Sequence, residues 1–124
     1  MMKVFIVEDE RALADVLKEK LEKEGFDADA IYSGEKAVSL IKKKKPDIIL
    51  LDLLLPGKDG FEILTELKAD KNLKNIPVIV LSNLSQDEDI KKALSLGAVD
   101  YYVKAQHPLK EVVEKVRNKI VLKK

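Results

Sequence analysis

The segment Asp47–Pro56 reads DIILLDLLLP, and its reading decides the fold. Ile48–Leu51 is an unbroken apolar run, too short for a helix and apolar at every position. That pattern fits a strand covered on both faces, as in a parallel sheet. The run ends in an acid, Asp52. Leu53–Gly60 then contains Pro56, Gly57 and Gly60 and reads as a loop.

Working outward, short β-branched runs alternate with amphipathic stretches. Toward the N-terminus, Val4–Ile6–Val7 predicts a first strand that stops at Glu8–Asp9. A helix follows from near Glu10 to Gly25, with Leu13, Val16, Leu17 and Leu21 on one face. Phe26 to Ile31 is a more polar strand, suited to a sheet edge. Ser33 is placed to cap the next helix, without a full capping box because Lys36 stands three residues on. Ala37, Val38, Leu40 and Ile41 are its apolar positions, and Pro46 closes it.

Toward the C-terminus, Phe61, Ile63, Leu64 and Leu67 mark a third helix. Val78–Leu81 is a central strand closed by Ser82. A fourth helix runs from about Asp87 to Leu96, with Ile90, Ala93 and Leu94 inward and Gly97 as its stop. Val99–Val103 is the fifth strand. A last helix starts near Pro108 with the stripe Leu109, Val112, Val113, Val116 and Ile120. Five strands alternating with five helices predict an α/β fold, a doubly wound (βα)5 sandwich with a parallel sheet. The order 2-1-3-4-5, the flavodoxin-like solution, places the polar second strand at an edge. Periodicity alone leaves the half-Rossmann order open.

With 124 residues, the chain fits one domain spanning 1–124 with a single core. There are 23 Lys and Arg against 22 Asp and Glu, and this balance argues against a general nucleic-acid coat. Basic runs at Lys42–Lys45 and Lys123–Lys124 read as solvated helix ends. Cysteine is absent, which excludes disulfides and thiolate chemistry, and the lone His107 cannot build a histidine-rich metal site. No apolar run approaches the length of a membrane span, so a cytoplasmic protein is expected.

Parallel sheets carry their sites at the carboxyl ends of the strands. There the sequence places Glu8–Asp9, Asp52, Ser82 and Lys104. Taken singly, Asp9 could cap the first helix, Ser82 could close a turn, and Lys104 is one lysine among many. Together on one rim they are far less ordinary. Three converging carboxylates repel one another unless a positive group compensates. Mg²⁺, a hard cation with oxygen ligands, answers that need, and Lys104 adds a second positive charge.

At these residues the chain resembles the CheY-like receiver domains of response regulators in bacterial two-component systems. The resemblance rests on the acidic pair Glu8–Asp9, on Asp52 followed by Pro56, and on Gly60 after Asp59. It extends to Ser82, to Tyr101 three residues before Lys104, and to Gly97–Ala98 before the fifth strand. It covers practically the whole chain.

The resemblance implies phosphoryl transfer from a phosphohistidine, on a sensor histidine kinase or histidine phosphotransfer protein, to Asp52. It implies Mg²⁺ held by Asp9, Asp52 and the backbone carbonyl of Leu54, with Glu8 acting directly or through water. Lys104 and the Ser82 hydroxyl would hold phosphoryl oxygens. Ser82 would shift toward the phosphoryl group and Tyr101 would turn inward, switching a face made by helix four, strand five and helix five. Self-phosphorylation from a phosphodonor and self-dephosphorylation are the only turnover expected. The target is an unidentified protein, with a phosphorylation-dependent homodimer as one candidate output.

The chain also departs from the family. Ala105 stands where proline usually follows the lysine, so the loop there is expected to be rearranged or strained. Asn83 stands where a small residue is common. Leu54 and Leu84 occupy tuning positions and, being apolar, cannot orient an attacking water, which predicts slow self-dephosphorylation. Tyr102 reads equally as a partner contact or as packing against the sheet, and His107 as a surface residue without a role. Other enzyme classes lack their marks: a phosphate-binding loop, a GxGxxG, or a second acid two residues after Asp52. The remaining alternatives are a receiver-like interaction module that works without phosphorylation, favoured by Ala105 and Asn83, and the isolated receiver of a DNA-binding transcriptional regulator.

Overall fold

The structure, a computed structural model, describes the backbone of residues 2–123 and the side chains of residues 2–119. Its elements alternate strictly: β1 (Lys3–Val7), α1 (Arg11–Lys23), β2 (Asp27–Ile31), α2 (Gly34–Lys44), β3 (Ile48–Leu51), α3 (Gly60–Ala69), β4 (Val78–Ser82), α4 (Asp87–Ser95), β5 (Asp100–Val103) and α5 (Leu109–Lys123). The strands form one parallel sheet in the order β2-β1-β3-β4-β5. This order resolves the alternative that periodicity left open.

The apolar run that led to the fold lies at its centre. Ile48–Leu51 are all buried, and their side chains alternate between two cores. Ile49 and Leu51 pack with α2, α3 and α4 residues such as Ile41, Leu64 and Ala93. Ile48 and Leu50 pack with α1 and α5 through Leu17, Leu21, Val112 and Val116. A strand flanked by strands and covered by helices on both faces has no polar side to offer, which explains the unbroken pattern.

Several details differ from the sequence expectation. Val16 is 42% exposed and Leu94 is 44% exposed, so neither belongs to its helix's buried stripe. Ala14 takes the inward place on α1, because Cβ direction and neighbouring bulk decide which apolar residue is covered. Ser33 occupies the N-cap of α2 but its side chain makes no cap hydrogen bond. Asp59 does cap α3, accepting from the Glu62 amide at 2.9 Å. The α5 stripe is buried at Val112, Val113 and Val116, whereas the side chain of Ile120 and the residue Lys124 lie outside the described residues.

Tyr102 is buried among Ile79, Leu81 and Val112, which settles it as packing rather than a surface anchor. Its hydroxyl donates to Asp100 at 2.7 Å. His107 is not idle either. Its ring meets Tyr102 edge to face at 5.1 Å, and Nδ1 lies 3.1 Å from Glu111.

Candidate functional site

Strand order creates the site. The connections from β1 and β3 leave toward opposite faces of the sheet, so a crevice opens between those strand ends. β1 and β3 pair through Val7 and Leu51, which sets Glu8 and Asp52 side by side one residue further on. Backbone bonds fix both: Glu8 N–H donates to Ile31 O at 2.9 Å, and Asp52 N–H donates to Val7 O at 3.0 Å.

Glu8, Asp9 and Asp52 each present an oxygen, and these atoms lie within 4.8 Å of one another. Glu8 and Asp52 are buried, while Asp9 is exposed at the mouth. Lys104 reaches this cluster from the end of β5. Its Nζ lies 2.5 Å from Glu8 Oε1 and 3.0 Å from Asp52 Oδ2. The remaining carboxylate oxygens are also engaged, since Leu54 N–H donates to Asp52 Oδ1 at 3.1 Å and Glu10 N–H donates to Glu8 Oε2 at 3.0 Å. Asp52 is thereby held in one orientation by two donors.

The electrostatics follow from burial and contact. Burial pushes the Glu8 carboxyl up to about 7, against the opposing pull of the Lys104 hydrogen bond. For Lys104, burial alone disfavours the charge, but its bonds to Glu8 and Asp52 outweigh that and hold its pKa above the ordinary lysine value. The lysine therefore stays charged. The donor set suits a hard divalent cation, because it consists of carboxylate oxygens close enough to share one ion.

Ser82 completes the rim. Leu51 pairs with Val80, so the end of β4 stands beside the end of β3. Ser82 is fully buried, its carbonyl accepts from Lys104 N–H at 2.9 Å, and its Oγ accepts from Leu84 N–H at 3.4 Å. Tyr101 packs against the α3–α4 core, and its hydroxyl donates to Leu84 O at 2.6 Å. Desolvation raises that phenol to about 12, so it remains a donor. Asn83 is exposed, Leu84 is half-buried, and Leu54 is 51% exposed at the opening.

Ala105 does not bring a cis bond with it, for no peptide among the described residues is cis. After Val103 the chain turns tightly instead, with Gln106 N–H donating to Val103 O at 2.9 Å. The loop runs through trans peptides, and Lys104 aims into the site.

Two parts of the arrangement escaped the sequence reading. Lys104 contacts Glu8 as well as Asp52, which nothing short of the β1–β3–β5 geometry could show. Gly60, read as a loop residue and as part of the family resemblance but not as a contact of the site, presses so close that a Cβ there would fall 2.4 Å from Asp52 O. A glycine eight residues after a buried acid was the available signal.

Similarity to known proteins agrees with this geometry. Residues 4–117 match the family model described as response regulator receiver domain. A Francisella response regulator receiver domain is 31% identical with a TM-score of 0.91, the match covering 100% of both chains. The BeF3-activated N-terminal receiver domain of Klebsiella pneumoniae RstA is 30% identical, covers 95% of this chain and 97% of that one, and gives a TM-score of 0.87. The phosphorylated cyanobacterial phytochrome response regulator RcpA is 33% identical over 94% of this chain and 89% of its own, with a TM-score of 0.83. With a family model spanning nearly the whole sheet and all of its rim residues, this chain belongs to the CheY-like response regulator receiver domains of bacterial two-component systems.

Proposed function

We propose that Asp52 accepts a phosphoryl group from a phosphohistidine on a sensor kinase or histidine phosphotransfer protein. The observation that carries this reading is a buried carboxylate at the end of the central strand, held at 3.0 Å by Lys104 and sharing a 4.8 Å cluster with Glu8 and Asp9. An Asp52 oxygen attacks phosphorus, the phosphorus–nitrogen bond breaks with its electron pair staying on the imidazole, and an acyl phosphate forms. Such a reaction needs positioning and charge neutralisation more than covalent assistance.

Glu8, Asp9 and Asp52, with the Leu54 carbonyl, would hold Mg²⁺. The cation when bound neutralises charge on the carboxylates and on phosphoryl oxygens. Lys104 releases Asp52 Oδ2 and follows a phosphoryl oxygen, and the Ser82 hydroxyl donates to another. Ser82 and Tyr101 then pass the new charge to the face formed by α4, β5 and α5, by biasing two existing states. Leu54 and Leu84 offer an incoming water no polar atom of their side chains, so the acyl phosphate is long-lived.

Acetyl phosphate with Mg²⁺ tests the reading. The wild type should take up acid-labile, hydroxylamine-sensitive label that decays over minutes or longer, and Asp52→Asn should take up none. Labelling of Asp52→Asn would sink the assignment, and decay within seconds would contradict the role given to the two leucines.

A further inference from the structure

The loop that follows Asp52 is seated at both ends. At its far end, a Cβ on Gly60 would meet Asp52 O at 2.4 Å and Leu53 Cα at 2.6 Å, and Gly60 N–H donates to Leu53 O at 3.0 Å. Its middle rests on a different element, the first turn of α2. A Cβ on Gly34 would fall 2.0 Å from the Lys58 carbonyl oxygen, 3.1 Å from its carbon and 3.3 Å from Ile63 Cδ1. One residue away, a Cβ on Gly57 would fall 2.6 Å from Glu35 Oε1.

These two contacts differ in kind. The Glu35 carboxylate is the end of a flexible side chain and can swing aside. The Lys58 oxygen belongs to the backbone and cannot move without its loop. Nor can α2 retreat easily, because Ala37 and Ile41 anchor it with no exposed surface at all. Any side chain at position 34 therefore drives the loop, which starts at Asp52.

We propose that Gly34 is a positioning residue of the acid site: the first turn of α2 is a backstop that sets the height of the 52–60 loop. Resting on the reading of Asp52 given above, the inference adds a part that lies on another helix and touches neither donor nor cation. Displacing a group that orients a cation ligand weakens binding by about 10- to 100-fold.

Gly34→Ala tests it, with Gly25→Ala as the control. Gly25 has φ +94°, so alanine strains it too, yet nothing lies within 4 Å of a Cβ there. Mg²⁺ affinity by calorimetry should fall at least about tenfold in Gly34→Ala and stay at the wild-type value in Gly25→Ala. In metal-free protein, amide exchange at Leu54 and Gly60 should quicken only in Gly34→Ala. Gly57→Ala is the second probe should Gly34→Ala not fold; with φ +75° it carries backbone strain as Gly25→Ala does, and the Glu35 contact is what sets it apart. It should weaken Mg²⁺ binding relative to Gly25→Ala, and adding Glu35→Ala should recover part of that loss. Equal affinities and exchange rates in Gly34→Ala and Gly25→Ala, or no recovery at all in the Gly57 pair, would overturn the backstop. A wild type that neither binds Mg²⁺ nor takes label would instead overturn the reading of Asp52.

Discussion

Glu8 lies beneath the surface beside an ammonium group, and two forces on its carboxyl pull in opposite directions. Burial wins and raises it from the ordinary 4.5 to about 7. Between those values the folded, metal-free protein keeps a proton that the unfolded chain has lost. Stability from this group is therefore present at low pH and fades as pH rises through about 7. A divalent cation favours the carboxylate and expels the proton, so affinity moves the other way. Mg²⁺ titrations at about pH 6 and about pH 8 should show tighter binding at the higher value with proton release, and Glu8→Gln should remove most of that difference. A wild-type affinity that ignores pH would contradict the assignment. Asp9, Asp52, Ser82 and Lys104 were legible in the sequence because strand ends are readable and parallel sheets gather them. The Lys104–Glu8 contact was not, since it spans nearly the whole sheet.

Among the elements, caps separate expectation from outcome. Ser33 has the right type and place for a cap, but its hydroxyl makes no cap bond, whereas Asp59 caps α3 through the Glu62 amide. Asp59→Ala should cost about 1 kcal/mol in urea unfolding, and Ser33→Ala no more than a few tenths. Equal losses would mean that the Ser33 hydroxyl stabilises α2 by another route. Element type and order were legible because short apolar runs and longer stretches of period 3.6 differ plainly in this chain. Which apolar residue faces inward was less so: Val16 and Leu94 fit the helical period yet remain exposed, since the period fixes a stripe and the width of the neighbouring surface decides how much of it is covered.

For the molecule as a whole, covering differs across the sheet. β1, β3 and β4 each have a strand on both sides, while β2 and β5 are edges. Opening an edge exposes less apolar surface than opening the centre, so protection should be graded. Amide exchange should be slowest in Ile48–Leu51 and Val78–Leu81 and faster in Asp27–Ile31; uniform rates would show that the sheet opens only as a unit. The strand order was a choice among right-handed windings, and the polar character of β2 tipped it. Close approach between α2 and the 52–60 loop could not be read from the chain, because a glycine's missing side chain has no pattern of its own.

Lys104, bridging Glu8 and Asp52, has a consequence for the order of events. Three carboxylates against one ammonium leave the pocket in negative excess whenever Glu8 is ionised. A phosphodonor is itself an anion and meets that excess as a barrier to approach. Loading a divalent cation first cancels it, after which the donor enters a pocket near electroneutrality. Repulsion by itself therefore favours arrival of the cation before the donor.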